Sequence, residues 1–132
     1  PVFIIAEYET ASSGEEVTTA GGRAFVRSAD GMLEAGVSLL DDGAVSGDTQ
    51  LAGADLRWQL APATQLRAEL ARSRSDDPAR AADATAYLAE LQHVSERLEA
   101  LVYLREQQAG FGVGQQLGTE AGTRKSGLDL RW

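Results

Sequence analysis

The residues equipped for chemistry are few and scattered. The chain has one histidine, His93, and no cysteine. An imidazole can move a proton near neutral pH or hold a metal through a ring nitrogen. Catalysis would need a nucleophile or carboxylate in geometry with it, and a metal site would need further ligands. The strand register derived below points His93 outward beside a turn, where it gains neither. Ser12, Ser13 and Ser46 fall in loops with no visible base. The glycine-rich stretch 110–118 reads G-x-G-x-G-x-x-x-G, which is neither the dinucleotide fingerprint nor a P-loop. No GK[ST] follows it, and the nearest lysine is Lys125, so a flexible or bulged loop is expected. Acidic pairs stand at Glu15-Glu16, Asp41-Asp42 and Asp76-Asp77, without the spacing of an EF-hand. These residues predict no catalytic, cofactor-binding or metal site, and the chain is not expected to be an enzyme.

Composition narrows the class. The chain has 132 residues, enough for one domain spanning 1–132. Its net charge of −8 argues against a nucleic-acid partner. No stretch approaches the roughly 20 apolar residues of a membrane-spanning helix. The mildly polar mean hydropathy is also what a membrane-spanning strand barrel gives, because half its residues face a polar lumen. The sequence begins PVFIIAEYE with no Met, which reads as a processed chain or a fragment.

What organises the chain is period-2 alternation. Ala52, Ala54, Leu56, Trp58 and Leu60 alternate with polar residues that include Asp55, Arg57 and Gln59. The pattern predicts eight strands near 2–9, 22–28, 32–40, 50–61, 65–73, 85–94, 97–106 and 124–132. The connections at 11–21, 41–49, 74–83 and 107–123 are long. Those at Asp30-Gly31, 62–64 and Ser95-Glu96 are short. Long and short connections alternate strictly, which places all short turns at one end of an up-and-down meander. Membrane barrels sort their loops in this way.

Cross-strand register supplies a second constraint. A type I′ turn at Asp30-Gly31 puts Ala24 opposite Val37, Val26 opposite Ala35, Phe25 opposite Gly36 and Arg27 opposite Glu34. A three-residue loop at 62–64 puts Leu60 opposite Leu66, Trp58 opposite Ala68, Leu56 opposite Leu70 and Arg57 opposite Glu69. Arg27, Glu34, Arg57 and Glu69 are thus expected as charge pairs facing a lumen. With the apolar face outward, Tyr8 and Tyr87 lie near the long-loop end and Trp58 and Trp132 near the short-turn end. Two interfacial aromatic bands are therefore expected.

Residues 77–107 also fit a helix. Asp77-Pro78 could start it, and Tyr87, Leu88, Leu91, Val94, Leu98, Leu101 and Val102 recur at helical spacing. The competing hairpin turns at Ser95-Glu96. It pairs Tyr87 with Leu104, Ala89 with Val102 and Leu91 with Ala100, and turns Leu88, Leu101 and Tyr103 inward. Propensity favours the helix; the pattern of the whole chain favours the hairpin.

The run REQQAGFGVGQQLGTEAGTRKSGLDLRW, with AYLAELQHVSERLEALVYL before it, resembles the barrel region of large Gram-negative outer-membrane surface proteins, OmpA-family-like or porin-like. The matching residues are Gly110, Phe111, Gly112, Gly114, Gln115 and Gln116, then Glu120, Ala121, Gly122, Thr123, Arg124 and Lys125. The likeness runs from about Gly22 to the end. It implies an all-β antiparallel meander of about eight strands, forming a transmembrane β-barrel or a segment of one in the outer membrane. It further implies a structural role as anchor or pore, no cofactor, and lipid as partner. If the chain is a fragment, the remaining strands of the same barrel are partners too. Two alternatives follow from the residues: a soluble eight-stranded ligand-binding barrel with Leu56 and Trp58 inside, or an α+β binding domain with a helix at 77–107.

Overall fold

The structure, a computed structural model, describes residues 2–13, 15–43, 47–76, 83–112 and 122–132, with side chains from Thr18 onward. Eight strands form one antiparallel sheet: β1 (Val2–Ser13), β2 (Glu15–Arg27), β3 (Leu33–Asp42), β4 (Thr49–Ala61), β5 (Thr64–Ser75), β6 (Asp83–Val94), β7 (Glu99–Gln107) and β8 (Thr123–Arg131). Seven antiparallel pairings join consecutive strands in an up-and-down meander. β1 and β8 are the free edges, so the sheet is open.

The helix at 77–107 does not form over its described part. Residues Asp83–Val94 and Glu99–Gln107 are paired strands; the helix start at Asp77-Pro78 lies outside the described residues. Helix propensity is overridden because each limb gains a ladder on both sides, β6 between β5 and β7, and β7 between β6 and β8.

The connection expected at 11–21 is largely strand. β1 and β2 stay in register until Ser13 faces Glu15, and they project past the end of β3, which stops pairing at Thr19↔Asp42. Thr10, Val17, Thr18 and Thr19 are strand formers in a stretch whose polarity reads as loop.

The three short turns carry the register. Around Asp30-Gly31 the expected pairs form, Arg27↔Glu34 through Ala24↔Val37. The turn itself is not type I′, since Asp30 keeps negative φ and only Gly31, at +71°, is left-handed. The Gly31 N–H donates to the Ser28 carbonyl at 2.9 Å, and the Met32 N–H donates to Asp30 Oδ1 at 3.0 Å.

At β4–β5 the register differs from expectation by two residues. Trp58 faces Leu66, Leu56 faces Ala68, and Arg57 faces Arg67 rather than Glu69. A two-residue turn at Pro62-Ala63 replaces the three-residue loop, and Leu60 bulges out between Gln59↔Gln65 and Ala61↔Thr64. The Gln59 amide donates to the Ala61 carbonyl at 2.7 Å, bracing the bulge.

At β6–β7 the shift is again two. Leu91 faces Val102, Ala89 faces Leu104 and Tyr87 faces Glu106. The turn centres on Glu96-Arg97, closed by Ser95 N–H to the Leu98 carbonyl at 2.9 Å. A slip of two preserves which face each residue occupies, so the face assignments survive both corrections.

Candidate functional site: two opposed sheet faces

Following the ladder across the sheet sorts the side chains into two sets. One set holds Val26, Ala24, Leu33, Val37, Leu39, Ala54, Leu56, Trp58, Leu66, Leu70, Leu91, Val102, Leu128 and Leu130. The opposite set holds Arg23, Arg27, Glu34, Asp55, Arg57, Arg67, Glu69, Glu90, Tyr103 and Arg105.

The exposure of these sets reverses the usual rule. Apolar side chains stand open: Leu39 is 66% exposed, Leu128 60%, Leu70 57% and Val37 55%. Among the described residues the only buried hydrophobic side chain is Ala84, and the other buried ones are Thr49, Ser73 and Ser75. All four lie on the charged face near the long-loop end. Thr49 and Ser75 hydrogen-bond through their hydroxyls at 3.0 Å, and Gly112 N–H donates to Ser73 Oγ at 3.4 Å. The sheet therefore shelters the long-loop end of its polar side, while Arg27, Arg57 and Arg67 on that side and many leucines and valines on the other stay exposed.

The charged face carries two clusters of ion pairs, one around Glu34 and Asp55 and one around Arg67. Arg27 donates to Glu34 through Nε at 3.0 Å and through Nη2. Arg57 lies directly opposite Glu34 on the next strand. Arg23 on β2 reaches past β3 to Asp55 on β4, with Nη2 at 2.6 Å from Oδ2 and Nε at 3.3 Å from Oδ1. Gly36 lies between them. A Cβ there would stand 2.8 Å from both Arg23 Nη2 and Asp55 Oδ1. The missing side chain is what lets the pair meet. The guanidinium groups of Arg23 and Arg27 lie 5.1 and 5.9 Å from the Phe25 ring centre, within cation–π range. On β5, Arg67 Nε donates to Glu69 at 2.9 Å, and its Nη1 stands 3.7 Å from Glu90. Glu69 thus pairs with Arg67 on its own strand and faces Asp55 across the ladder, while Arg57 is held in the Glu34 row.

Leu88, Leu101 and Tyr103 lie on this face, as the strand pattern requires. Tyr103 stands directly opposite Gly127, and a Cβ there would be 2.5 Å from its ring. The ring covers the glycine backbone.

On the apolar face the two ends differ. Near the long-loop end, Tyr87 donates its hydroxyl to Glu106 at 2.8 Å, and Arg72 and Arg74 share Asp83 at 3.2 and 3.3 Å. Near the short-turn end stand Trp58, His93 and, one residue past β8, Trp132. His93 Nδ1 and Thr64 Oγ1 are hydrogen-bonded at 2.9 Å. Tyr8 lies opposite Ala20, on the apolar face by register.

The acidic pair Asp41-Asp42 ends β3, its two residues on opposite faces, and Thr19 donates to Asp42 at 2.6 Å. Among the described residues no three His, Cys, Asp or Glu gather as metal ligands. Asp77, Ser46 and the stretch 113–118 lie outside the described residues, as do Glu120 and Ala121; the side chains of Ser12, Ser13, Glu15 and Glu16 do so too. Sequence reasoning missed the Arg23–Asp55 pair because its members are not on adjacent strands. The available signal was Gly36, a glycine inside a strand otherwise rich in apolar and charged residues.

The border between apolar and polar residues on the outward set is oblique. The first polar residue toward the long-loop end is Thr18 on β2, Asp41 on β3, Gln50 on β4, Arg72 on β5, Thr85 on β6, Glu106 on β7 and Ser126 on β8. Asp41 faces Ala20, Arg72 faces Ala52, Glu106 faces Tyr87 and Ser126 faces Leu104. At each of these four pairings the border drops by two residues. At the others it stays level with the ladder.

Comparison of the chain with models of protein families, with curated proteins and with solved structures finds no match.

Proposed function

We propose that the sheet is wall of a transmembrane β-barrel, with its apolar face against lipid and its charged face lining the interior. The observation that carries this is the reversed exposure: leucines and valines stand open while Thr49, Ser73 and Ser75 are buried. In water, open apolar area of this extent is unfavourable by about 25 cal/mol per Å². In a bilayer it is the required outer surface. The oblique border supports the same reading. Residues at one depth in a slab are not ladder partners when the strands are tilted. The outer membrane is the proposed location, on the resemblance of residues 105–132 to outer-membrane barrel proteins. The role is structural, as anchor or pore, with no catalytic step.

The test is folding yield with and without detergent, read by resistance to proteolysis and by far-ultraviolet circular dichroism. Folding only with detergent or liposomes is expected. Equal folding as a monomer in plain buffer would overturn the membrane reading and favour the soluble ligand-binding barrel.

A further inference from the structure

The two free edges carry a measurable offset, and it specifies how they fit each other. Begin at Ile5 on β1 and follow the ladder: Arg23, Ser38, Gly53, Ala71, Ala86, Gln107, Thr123. The row ends on the first residue of β8, yet β1 runs eight residues further, to Ser13. Aligning the long-loop ends of β8 and β1 therefore requires a shift of eight residues, which puts Thr123 beside Ser13.

The polar border gives a second measure, set by side-chain chemistry rather than by strand ends. The row through Ser126 runs back through Leu104, Ala89, Ala68, Leu56, Ala35 and Val26 to Val2. The border on β1 falls at Thr10, eight residues beyond Val2. A border that meets itself at one level pairs Ser126 with Thr10. Both measures give the same register, with Leu128 opposite Tyr8 and Leu130 opposite Ala6. The shift is even, so both faces stay continuous across the seam. β1 and β8 run antiparallel in the meander, as such a seam needs.

We infer that β8 takes β1 of its own chain in this register, closing a barrel of eight strands with a shear of eight. This rests on the membrane reading above and deepens it. A shear of one residue per strand corresponds to a strand tilt of roughly 36°, at the low end of the 35–45° range of membrane barrels. Closure at this size leaves an interior just wide enough for side chains to fill. The charged side chains of Arg23, Glu34, Asp55, Arg57, Arg67 and Glu90 then pack the barrel instead of lining a water-filled channel. The closed form is an anchor, not a pore.

The chain has no cysteine, so disulfide mapping starts from a clean background. Two double variants place thiols on facing residues: Tyr8→Cys with Leu128→Cys, and Ala6→Cys with Leu130→Cys. Two others are displaced along β8: Tyr8→Cys with Ser126→Cys, and Tyr8→Cys with Leu130→Cys. Facing pairs lie close to disulfide reach, whereas pairs displaced by two residues are diagonal neighbours about 7–8 Å apart, beyond it. In detergent-folded full chain, at least one facing pair should form an intramolecular disulfide at least tenfold faster than either displaced pair. Reconstituted parent protein should give no steady conductance in planar bilayers. Preferential cross-linking of a displaced pair would overturn the register. Cross-linked dimers, or no cross-link in any variant that folds, would overturn self-closure. A stable conductance would overturn the filled interior. The membrane reading is judged separately, by the detergent dependence of the parent's folding.

Discussion

On one face of this sheet Val37, Leu39, Leu70 and Leu128 stand in the open; on the other, Arg23, Glu34 and Asp55 are half-sheltered and paired. The same strands supply both faces, so backbone and propensity cannot explain the difference. The charged face holds itself together by specific contacts: arginine–carboxylate pairs, of which Arg23–Asp55 is bidentate, a glycine window and a tyrosine laid over a glycine. On the apolar face such contacts are confined to its two ends, and the strand middles between them present only apolar side chains. Substitutions should therefore be judged by medium on one face and by geometry on the other.

The sharpest way to break this comparison is Val37→Arg. At a 55% exposed site in a water-facing sheet the change would cost within about 0.5 kcal/mol. Toward the middle of a lipid-facing wall it should cost roughly 2–4 kcal/mol. Urea unfolding in liposomes measures it, and a near-zero effect would remove the distinction between the faces.

Gly36→Val probes the charged face by geometry. The new side chain would enter the space where Arg23 and Asp55 meet. A loss of about 1–3 kcal/mol is expected from overpacking. The same urea titration should find it smaller in an Arg23→Ala background, where the obstructing guanidinium is gone.

A smaller effect sharpens the account of the ion pairs. Arg23→Met and Asp55→Asn, singly and together, form a double-mutant cycle. The coupling should be about 1 kcal/mol, because the two residues are in contact and partly shielded from solvent. Arg27 with Asp55, for which no contact is seen, should couple by less.

The smallest effect lies in the β2–β3 turn. The Ser28 hydroxyl, then the Met32 N–H, hold the Asp30 carboxyl below its ordinary pKa. A folded-state pKa below the unfolded value adds stability above the unfolded pKa, and that stability fades as pH falls through the folded pKa. The turn should therefore loosen only on acidification below the ordinary aspartate range. Ser28→Ala should move the Asp30 titration, followed by carboxyl NMR shifts, back toward higher pH.

Much of the fold was legible because strand alternation has a period of two. The existence of all eight strands and of both faces follows from it, including Leu88, Leu101 and Tyr103 on the charged side, although the polar stretch 11–21 that it reads as loop extends β1 and β2. What alternation cannot encode is register beyond parity. Both corrected hairpins slipped by two residues because turn geometry set them: the Leu60 bulge at one, the Ser95–Leu98 closure at the other. The β2–β3 register survived even a wrong turn type, because a four-residue loop between Ser28 and Leu33 has the same parity and length sum as the two-residue one. Of the expected charge pairs, Arg27–Glu34 depended on that robust turn and formed. Arg57–Glu69 depended on the bulged turn, and the bulge moved Arg57 opposite Arg67. The Arg23–Asp55 pair crosses a third strand, and no pairwise rule between neighbours reaches that far.

The strictly consecutive order of the strands has a kinetic consequence. Each of the seven pairings can begin from its own turn or loop, before any distant part of the chain is in place. Loop closure costs only about (3/2)RT ln n for a loop of n residues, so no single step carries a large entropic barrier. Ladder formation can start at β2–β3, where the turn is short and internally hydrogen-bonded, and spread outward in both directions. Hairpins are then the units of assembly, each added beside its sequence neighbour, and partially assembled sheets differ from the finished one in width instead of connectivity.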